Sequence, residues 1–124
     1  MPDLFADSFA FVALLEGNER YRRIFERKSV VTSSFNLLEV YTALLRRLDR
    51  REAREISASI LPMVISIPPD VAIEAAEFRH GMRARKRDCS YVDAWGYAAA
   101  AQLGLRFLTG DPAFRHVGNV EYVR

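Results

Sequence analysis

The sequence has very little cysteine: Cys89 is the only one among 124 residues, so no disulfide bond can form within the chain. Such a composition is typical of a reducing compartment, and we expect a cytoplasmic protein. Arg85, Lys86 and Arg87 precede this cysteine and favour a lowered thiol pKa. Because no histidine lies close by in sequence to serve as a base, we predict that Cys89 is structural rather than reactive.

Several common catalytic patterns are absent as well. The two histidines, His80 and His116, do not form a zinc-binding spacing with Cys89. The sequence contains no glycine-rich phosphate loop and no G-x-S-x-G nucleophile motif. Lys28 and Lys86 are the only lysines. Neither falls at the end of a late strand, where a receiver-type signalling domain needs one, which argues against that class.

Long hydrophobic runs and linkers are missing too. The longest uncharged run, residues 56–69, is too short and too interrupted by proline to span a bilayer. The N-terminal segment is apolar but carries acids and no early positive charge, so it does not resemble a signal peptide. Half of the residues are hydrophobic, 27% are charged and the net charge is +2. We therefore expect a single globular domain over residues 1–124, without membrane association.

Short apolar runs alternate with helical patterns along the chain. Apolar or β-branched runs predict strands at residues 4–6, 29–33, 63–67, 105–109 and 120–123. Apolar residues at helical spacing predict helices at residues 8–16, 19–27, 34–48, 53–60, 70–85 and 90–103. Strands separated by helices predict an α/β fold, with a parallel sheet and helices on both of its faces.

Asp7 and Asp111 each follow a predicted strand and precede a helical turn. Each has a simple interpretation as a helix N-cap, since Asp and Ser are favoured there and Pro112 suits the first helical position after Asp111. However, ligands of parallel sheets bind beyond the carboxyl ends of the strands, which is where both acids fall.

Glu39 and Asp93 lie on predicted helices. Glu39 is a solvated residue in the simplest interpretation, but apolar residues flank it on both sides, and a partly buried carboxylate needs a partner or a metal. Asp93 fits a capping box with Ser90. Small residues such as Gly96 on its helix face would nevertheless let that helix approach the sheet and bring the Asp93 carboxylate near the strand ends.

Taken together, these acids suggest more than separate caps. Carboxylates that are brought together raise each other's pKa, and a hard cation neutralises them. Mg²⁺ or Mn²⁺, as one or two ions, prefers such oxygen ligands. Metal-assisted phosphodiester hydrolysis is the matching chemistry. The alternative is a structural α/β domain in which the acids are unrelated caps.

The sequence around these acids resembles the PIN-domain ribonucleases, particularly the small VapC-type toxins of toxin–antitoxin pairs. The matching segments occur in the right order across the whole chain and are "LFADSFAFVALL", "SSFNLLEVYTALLRR", "CSYVDAWGYAAAAQLG" and "LRFLTGDPAF". The resemblance implies a three-layer α/β/α sandwich with a mostly parallel central sheet. It also implies that Mg²⁺ or Mn²⁺ is bound by the acids Asp7, Glu39, Asp93 and Asp111.

By the same resemblance, Ser8 and Thr109 would support the acidic pocket, and the activity would be endonucleolytic cleavage of RNA by a metal-bound water. Members of the family usually form homodimers, and the toxins are held inactive by a small antitoxin protein. Many members carry a further acid just after the fourth acidic position. Pro112 and Ala113 stand there in this chain, which leaves the binding of a second ion open.

A basic segment precedes the predicted helix that carries Asp93. Its cations are candidate contacts to RNA phosphates, and they are Arg83, Arg85, Lys86 and Arg87. A solvated helix end, whose cations complement the helix dipole, explains them equally well. For the chain as a whole, the alternative to a metal-dependent ribonuclease is a catalytically inactive PIN-like module that binds RNA or a protein.

Overall fold

The computed structural model describes all residues from 1 to 124. Four short strands form its sheet: β1 (Leu4–Ala6), β2 (Val30–Val31), β3 (Arg106–Thr109) and β4 (Val120–Tyr122). Six helices surround it: α1 (Ser8–Leu15), α2 (Glu19–Arg27), α3 (Ser34–Leu45), α4 (Arg50–Ile60), α5 (Val71–Ala84) and α6 (Tyr91–Gln102). None of these helices is both long and apolar enough to cross a membrane.

The sheet is entirely parallel, with the strand order β2-β1-β3-β4. Phe5 of β1 is in register with Phe107 of β3, and their rings stack with centroids 6.3 Å apart. Because all strands run the same way, their carboxyl ends share one edge of the sheet. The predicted α/β/α sandwich with a parallel central sheet is confirmed.

Alternation along the strands divides the core between the two faces of the sheet. Phe5 and Phe107 pack with residues of α5 and α6 on one face. Leu4, Ala6 and Leu108, their neighbours along the strands, pack with residues of α1, α3 and α4 on the other face. Helices therefore cover both faces, as the alternating pattern predicts.

Gly96 lets α6 lie close against the sheet. A Cβ atom at this position would lie 2.9 Å from Cε1 of Phe107 and 3.3 Å from Cε1 of Phe5. No larger residue fits without displacing these rings. The close approach expected from the small residues of this helix is therefore present, and it brings the first turn of α6 to the carboxyl edge of the sheet.

The predicted strand at residues 63–67 is wrong. This segment forms a single parallel bridge, between Val64 and Thr32, after a 3₁₀ turn over Leu61–Met63. Pro62 favours that turn, since it lies within its first two positions. The backbone that would pair with this segment leaves the sheet directly after Thr32, because Ser33 already caps α3. Too little backbone is left for a fifth strand.

The other predicted elements are present with shifted ends. The strand expected at 29–33 is limited to Val30–Val31, and the helix expected at 34–48 ends at Leu45. The edge strand expected near the C-terminus is β4. Such shifts arise where a cap or a turn competes with continuation of the helix or strand.

Candidate metal centre

The four predicted acids come from four different elements at the carboxyl edge of the sheet. Asp7 follows β1 and caps α1, and Asp111 follows β3 and caps a 3₁₀ turn over Pro112–Phe114. Glu39 lies on α3 and Asp93 in the first turn of α6. Their negative charges interact, since Glu39 and Asp93 both act on Asp7, and Asp111 acts on Asp93.

Asp7 is the most enclosed of these acids, with 2% of its surface exposed. The backbone N–H of Ser8 donates to its Oδ1 at 2.8 Å, and the Thr109 hydroxyl donates to its Oδ2 at 2.8 Å. Burial raises the pKa of Asp7 to about 8, and repulsion from Asp93 adds to this effect. The two hydrogen bonds lower the pKa of Asp7 but do not offset its burial.

Thr109 connects two of the acids. Its hydroxyl donates to Asp7 and accepts the backbone N–H of Asp111 at 3.1 Å. Thr109 is itself fully buried at the end of β3. This side chain therefore fixes the start of the 3₁₀ turn relative to the carboxylate of Asp7.

Asp93 forms the capping box that the sequence indicates. Its Oδ2 accepts the backbone N–H of Ser90 at 3.0 Å, and its own N–H donates to the Ser90 hydroxyl at 3.0 Å. Burial is the main cause that raises the pKa of Asp93, and the charge of Asp111 adds to it. The Asp93 side chain thus takes part in the helix cap and also belongs to the acidic group.

Glu39 is partly buried, as its apolar neighbours indicate. It belongs to none of the five ion pairs of the structure, and neither do Asp7, Asp93 and Asp111. The protein therefore supplies no paired cation to this group of carboxylates. An uncompensated, oxygen-only donor set suits a hard divalent cation such as Mg²⁺ or Mn²⁺.

The acidic side chains are not arranged as a closed ligand cage. No group of three or more His, Cys, Asp or Glu side chains in the structure converges closely enough to hold a metal ion. The chemistry of the donor set nevertheless fits a hard divalent cation, since carboxylate oxygens are the ligands that such an ion prefers.

A buried polar network supports the site and was not recognised from the sequence. Asn36 is fully buried; its Nδ2 donates to the Ser8 hydroxyl at 3.1 Å, and its Oδ1 accepts the Ser33 hydroxyl at 2.7 Å. The Thr32 hydroxyl donates to the carbonyl of Ala6 at 2.9 Å. The available signal was the spacing of Ser33 and Asn36, which suits an N-cap, but it does not reveal the contact with Ser8.

Ser8 reaches the acidic group through its backbone rather than its side chain. Its N–H bonds Asp7, whereas its hydroxyl faces Asn36. Ser8 therefore connects the carboxylate to the start of α3, the helix that carries Glu39.

The basic segment lies beside the turn that carries Asp111. Arg83, Arg85 and Lys86 are exposed, as a phosphate-contacting role requires. Arg87 is half-buried, and its Nη1 donates to the carbonyls of Ala113 and Arg115, both at 2.8 Å. The guanidinium of Arg87 is thus engaged with the backbone, unlike the charged groups of Arg83, Arg85 and Lys86.

Cys89 is buried and belongs to the core beneath α5 and α6. Burial raises the pKa of its thiol to about 12, and the charge of Asp93 adds to this effect. The basic neighbours do not lower the pKa as their proximity in sequence suggested. The thiol remains protonated at neutral pH, which agrees with a structural role.

The chain belongs to the PIN domain family, whose sequence pattern matches residues 4–120. The match spans β1, β2 and β3, reaches the first residue of β4 and includes the positions of all four acids. No curated protein sequence matches the chain. The family assignment rules out the receiver-type alternative and confirms the resemblance to PIN-domain proteins.

Solved structures place the chain among VapC-type members of that family. VapC20 of Mycobacterium tuberculosis, described as a toxin that cleaves the sarcin–ricin loop, is 30% identical with a TM-score of 0.77, covering 98% of this chain and 99% of that one. A toxin–antitoxin complex from Klebsiella pneumoniae is 17% identical (TM-score 0.74, 95% of each chain covered). DNA-bound VapBC from Salmonella typhimurium is 14% identical (TM-score 0.76, 99% and 98% covered).

Proposed function

We propose that this protein is a divalent-metal-dependent endoribonuclease and the toxin of a toxin–antitoxin pair. One observation carries the proposal: acids from four elements lie at the carboxyl edge of a PIN-domain sheet, near enough for their charges to interact, and no protein cation is paired with them. The 30% identical VapC20, a toxin that cleaves the sarcin–ricin loop, supports RNA as the substrate.

The residues of the site have separate roles in this proposal. Asp7, Glu39, Asp93 and Asp111 would hold Mg²⁺ or Mn²⁺, which when bound activates water and stabilises the leaving oxygen of a phosphodiester. Thr109 and the Ser8 N–H fix the carboxylate of Asp7 in position. No acid stands directly after Asp111, where Pro112 and Ala113 lie, and we propose one tightly held ion rather than two.

A protein partner is part of the same proposal. Relatives with this fold are described as toxin–antitoxin complexes. Large apolar side chains remain exposed on this chain, notably Leu38 (60%), Ile73 (66%) and Tyr91 (69%). Tyr91 lines an apolar cleft together with Phe35 and Trp95, and a contiguous apolar surface of this kind indicates that a partner covers it. We propose that an antitoxin and a second copy of the chain cover these exposed apolar side chains.

Cleavage of RNA by the purified protein tests the catalytic proposal. The substrates are a sarcin–ricin loop hairpin and a structured RNA of mixed sequence, each with Mg²⁺, Mn²⁺ or EDTA. We expect cuts that require metal and disappear in Asp93→Asn. Asp70→Asn is the matched control, because Asp70 is an exposed acid before α5 and lies outside the acidic group.

Two results would contradict the proposal. Cleavage that persists in EDTA would show that the reaction needs no divalent metal. Cleavage that persists in Asp93→Asn would show that the acidic site does not catalyse it. A folded protein that binds both RNAs without cutting either would instead favour the inactive RNA-binding module.

A further inference from the structure

An open cleft lies between the turn around Lys86 and the turn around Arg115. It has a volume of about 450 Å³, which is within the range of ligand-binding clefts. Its lining is almost entirely polar or charged and includes Lys86, Arg87, Asp88, Asp111, Arg115 and His116.

Two cations of this cleft are available to a ligand. Lys86 and Arg115 are exposed, and neither belongs to any ion pair of the structure. The guanidinium carbon of Arg115 lies 5.6 Å from the ring centroid of Tyr122, which restrains its position while leaving its N–H groups free. Arg83 and Arg85 add positive charge next to the Lys86 wall.

Arg87 holds the two walls together. It leaves the Lys86 turn, and its Nη1 donates to the carbonyls of Ala113 and Arg115 in the opposite wall. Both walls are sharply turned, since Lys86 has a φ of 59° and His116 a φ of 66°. The cleft is therefore a built feature and not an accidental gap between independent loops.

The cleft is continuous with the acidic site through Asp111. This residue lines the cleft, and its charge also acts on Asp93. The carboxylates repel a polyanion that approaches the acidic site. The cations of the adjacent cleft attract it.

We propose that this cleft binds an RNA phosphodiester next to the scissile one, with Lys86 and Arg115 contacting the phosphate and Arg87 acting as a positioning residue. The inference rests on the proposed ribonuclease function. It assigns the turn around Arg115 to RNA binding. The basic segment at residues 83–87 does not by itself indicate a role for that turn.

RNA binding without cleavage tests the inference. The probe is a short fluorescent RNA of mixed sequence, and its affinity for the Asp93→Asn protein is measured by anisotropy over a range of salt concentrations. Adding Lys86→Ala and Arg115→Ala should weaken binding on the order of tenfold and reduce the salt slope by about 0.7, since one neutralised phosphate of single-stranded RNA contributes roughly that amount. Arg50→Ala with Arg54→Ala, an equal loss of charge on exposed residues of α4, should change neither quantity.

The outcomes separate the inference from the proposed function. If metal-dependent cleavage occurs but the Lys86 and Arg115 variant keeps its affinity and salt slope, the cleft inference is overturned and the nuclease proposal stands. If the variant keeps RNA binding but loses binding of polyglutamate, the cleft belongs to an acidic protein partner, and the inference is again overturned. If the parent protein binds no RNA although the wild type cleaves RNA with metal, the cleft inference is overturned and the nuclease proposal stands. If RNA is neither bound nor cleaved, both proposals fail.

The positioning role of Arg87 has its own readout. Arg87→Ala should lower kcat, because the Asp111 turn loses its tie, whereas Lys86→Ala with Arg115→Ala should mainly raise KM. Arg87→Lys keeps the charge and a donor and should restore part of kcat. A rise in KM alone in Arg87→Ala, with kcat unchanged and no rescue by lysine, would overturn the positioning role and make Arg87 a direct contact.

Discussion

Replacing Asp7 by asparagine should stabilise the protein in the absence of metal. Asp7 is buried with no cation beside it, and burial raises the pKa of its carboxyl from 3.8 to about 8. Folding at neutral pH therefore forces this group to take up a proton or to remain charged in an apolar setting. Asparagine removes that cost and keeps an oxygen for the N–H of Ser8.

The size of the effect follows from the pKa difference. Each pKa unit corresponds to about 1.4 kcal/mol, so the roughly three units between 3.8 and pH 7 set an upper bound of about 4 kcal/mol. Relaxation of the site and a weaker contact with Thr109, worth about 1 kcal/mol, reduce the gain. We expect Asp7→Asn to raise the free energy of unfolding by about 1–3 kcal/mol at pH 7.

The sign of the pH dependence provides a second measure. The folded pKa of Asp7 lies above the unfolded value, so the folded state binds more protons between about pH 4 and pH 8. The stability of the wild-type protein should therefore fall as pH rises through this window and level off above it. Asp7→Asn should lack this contribution, and the two proteins should become similar in stability near pH 4.

Denaturant unfolding in EDTA at a series of pH values measures both quantities. Asp70→Asn, on an exposed acid, should match the wild type throughout. If Asp7→Asn is less stable than the wild type at pH 7 and its pH slope is unchanged, Asp7 is an ionised structural carboxylate. The argument that the acidic group needs a cation would then fail.

Three further predictions concern the metal, the packing and the polar network. Mn²⁺ at a hundred times its Kd should stabilise the wild type by about 2.7 kcal/mol and so raise its Tm in calorimetry. It should leave the Tm of Asp93→Asn unchanged. Equal shifts in the two proteins would show that Mn²⁺ binds outside the acidic group. Gly96→Ala should lower the free energy of unfolding by about 1–3 kcal/mol, because its Cβ would meet Phe107. Gly81→Ala, whose Cβ would have nothing within 4 Å, should leave the free energy of unfolding unchanged or raise it in the same denaturation experiment. Equal effects of the two substitutions would contradict the close packing of α6. Asn36→Ala should cost about 1–3 kcal/mol, because the Ser8 and Ser33 hydroxyls lose a buried partner, and a denaturation midpoint like that of the wild type would show that water replaces the amide.

Much of the fold was predictable because its signals are local. Apolar spacing identified all six helices, and the alternation of strands and helices indicated the parallel sheet. The caps at Asp7, Asp93 and Asp111 were also readable, since each depends on a few neighbouring residues. The incorrect strand at residues 63–67 shows the limit of such signals: a β-branched run forms a strand only where a partner strand continues beside it.

The sequence by itself determined which residue types stand at the ends of the strands and at the starts of the helices. Only the tertiary structure decided that Asp7 is buried while Asp111 remains partly exposed, and that Thr109 joins them. It also decided that Arg87 ties the basic segment to the turn after Asp111. The contacts of Thr109 with Asp7 and of Arg87 with the turn after Asp111 link residues that are distant in sequence, so their existence depends on how the sheet and its two helical layers pack together.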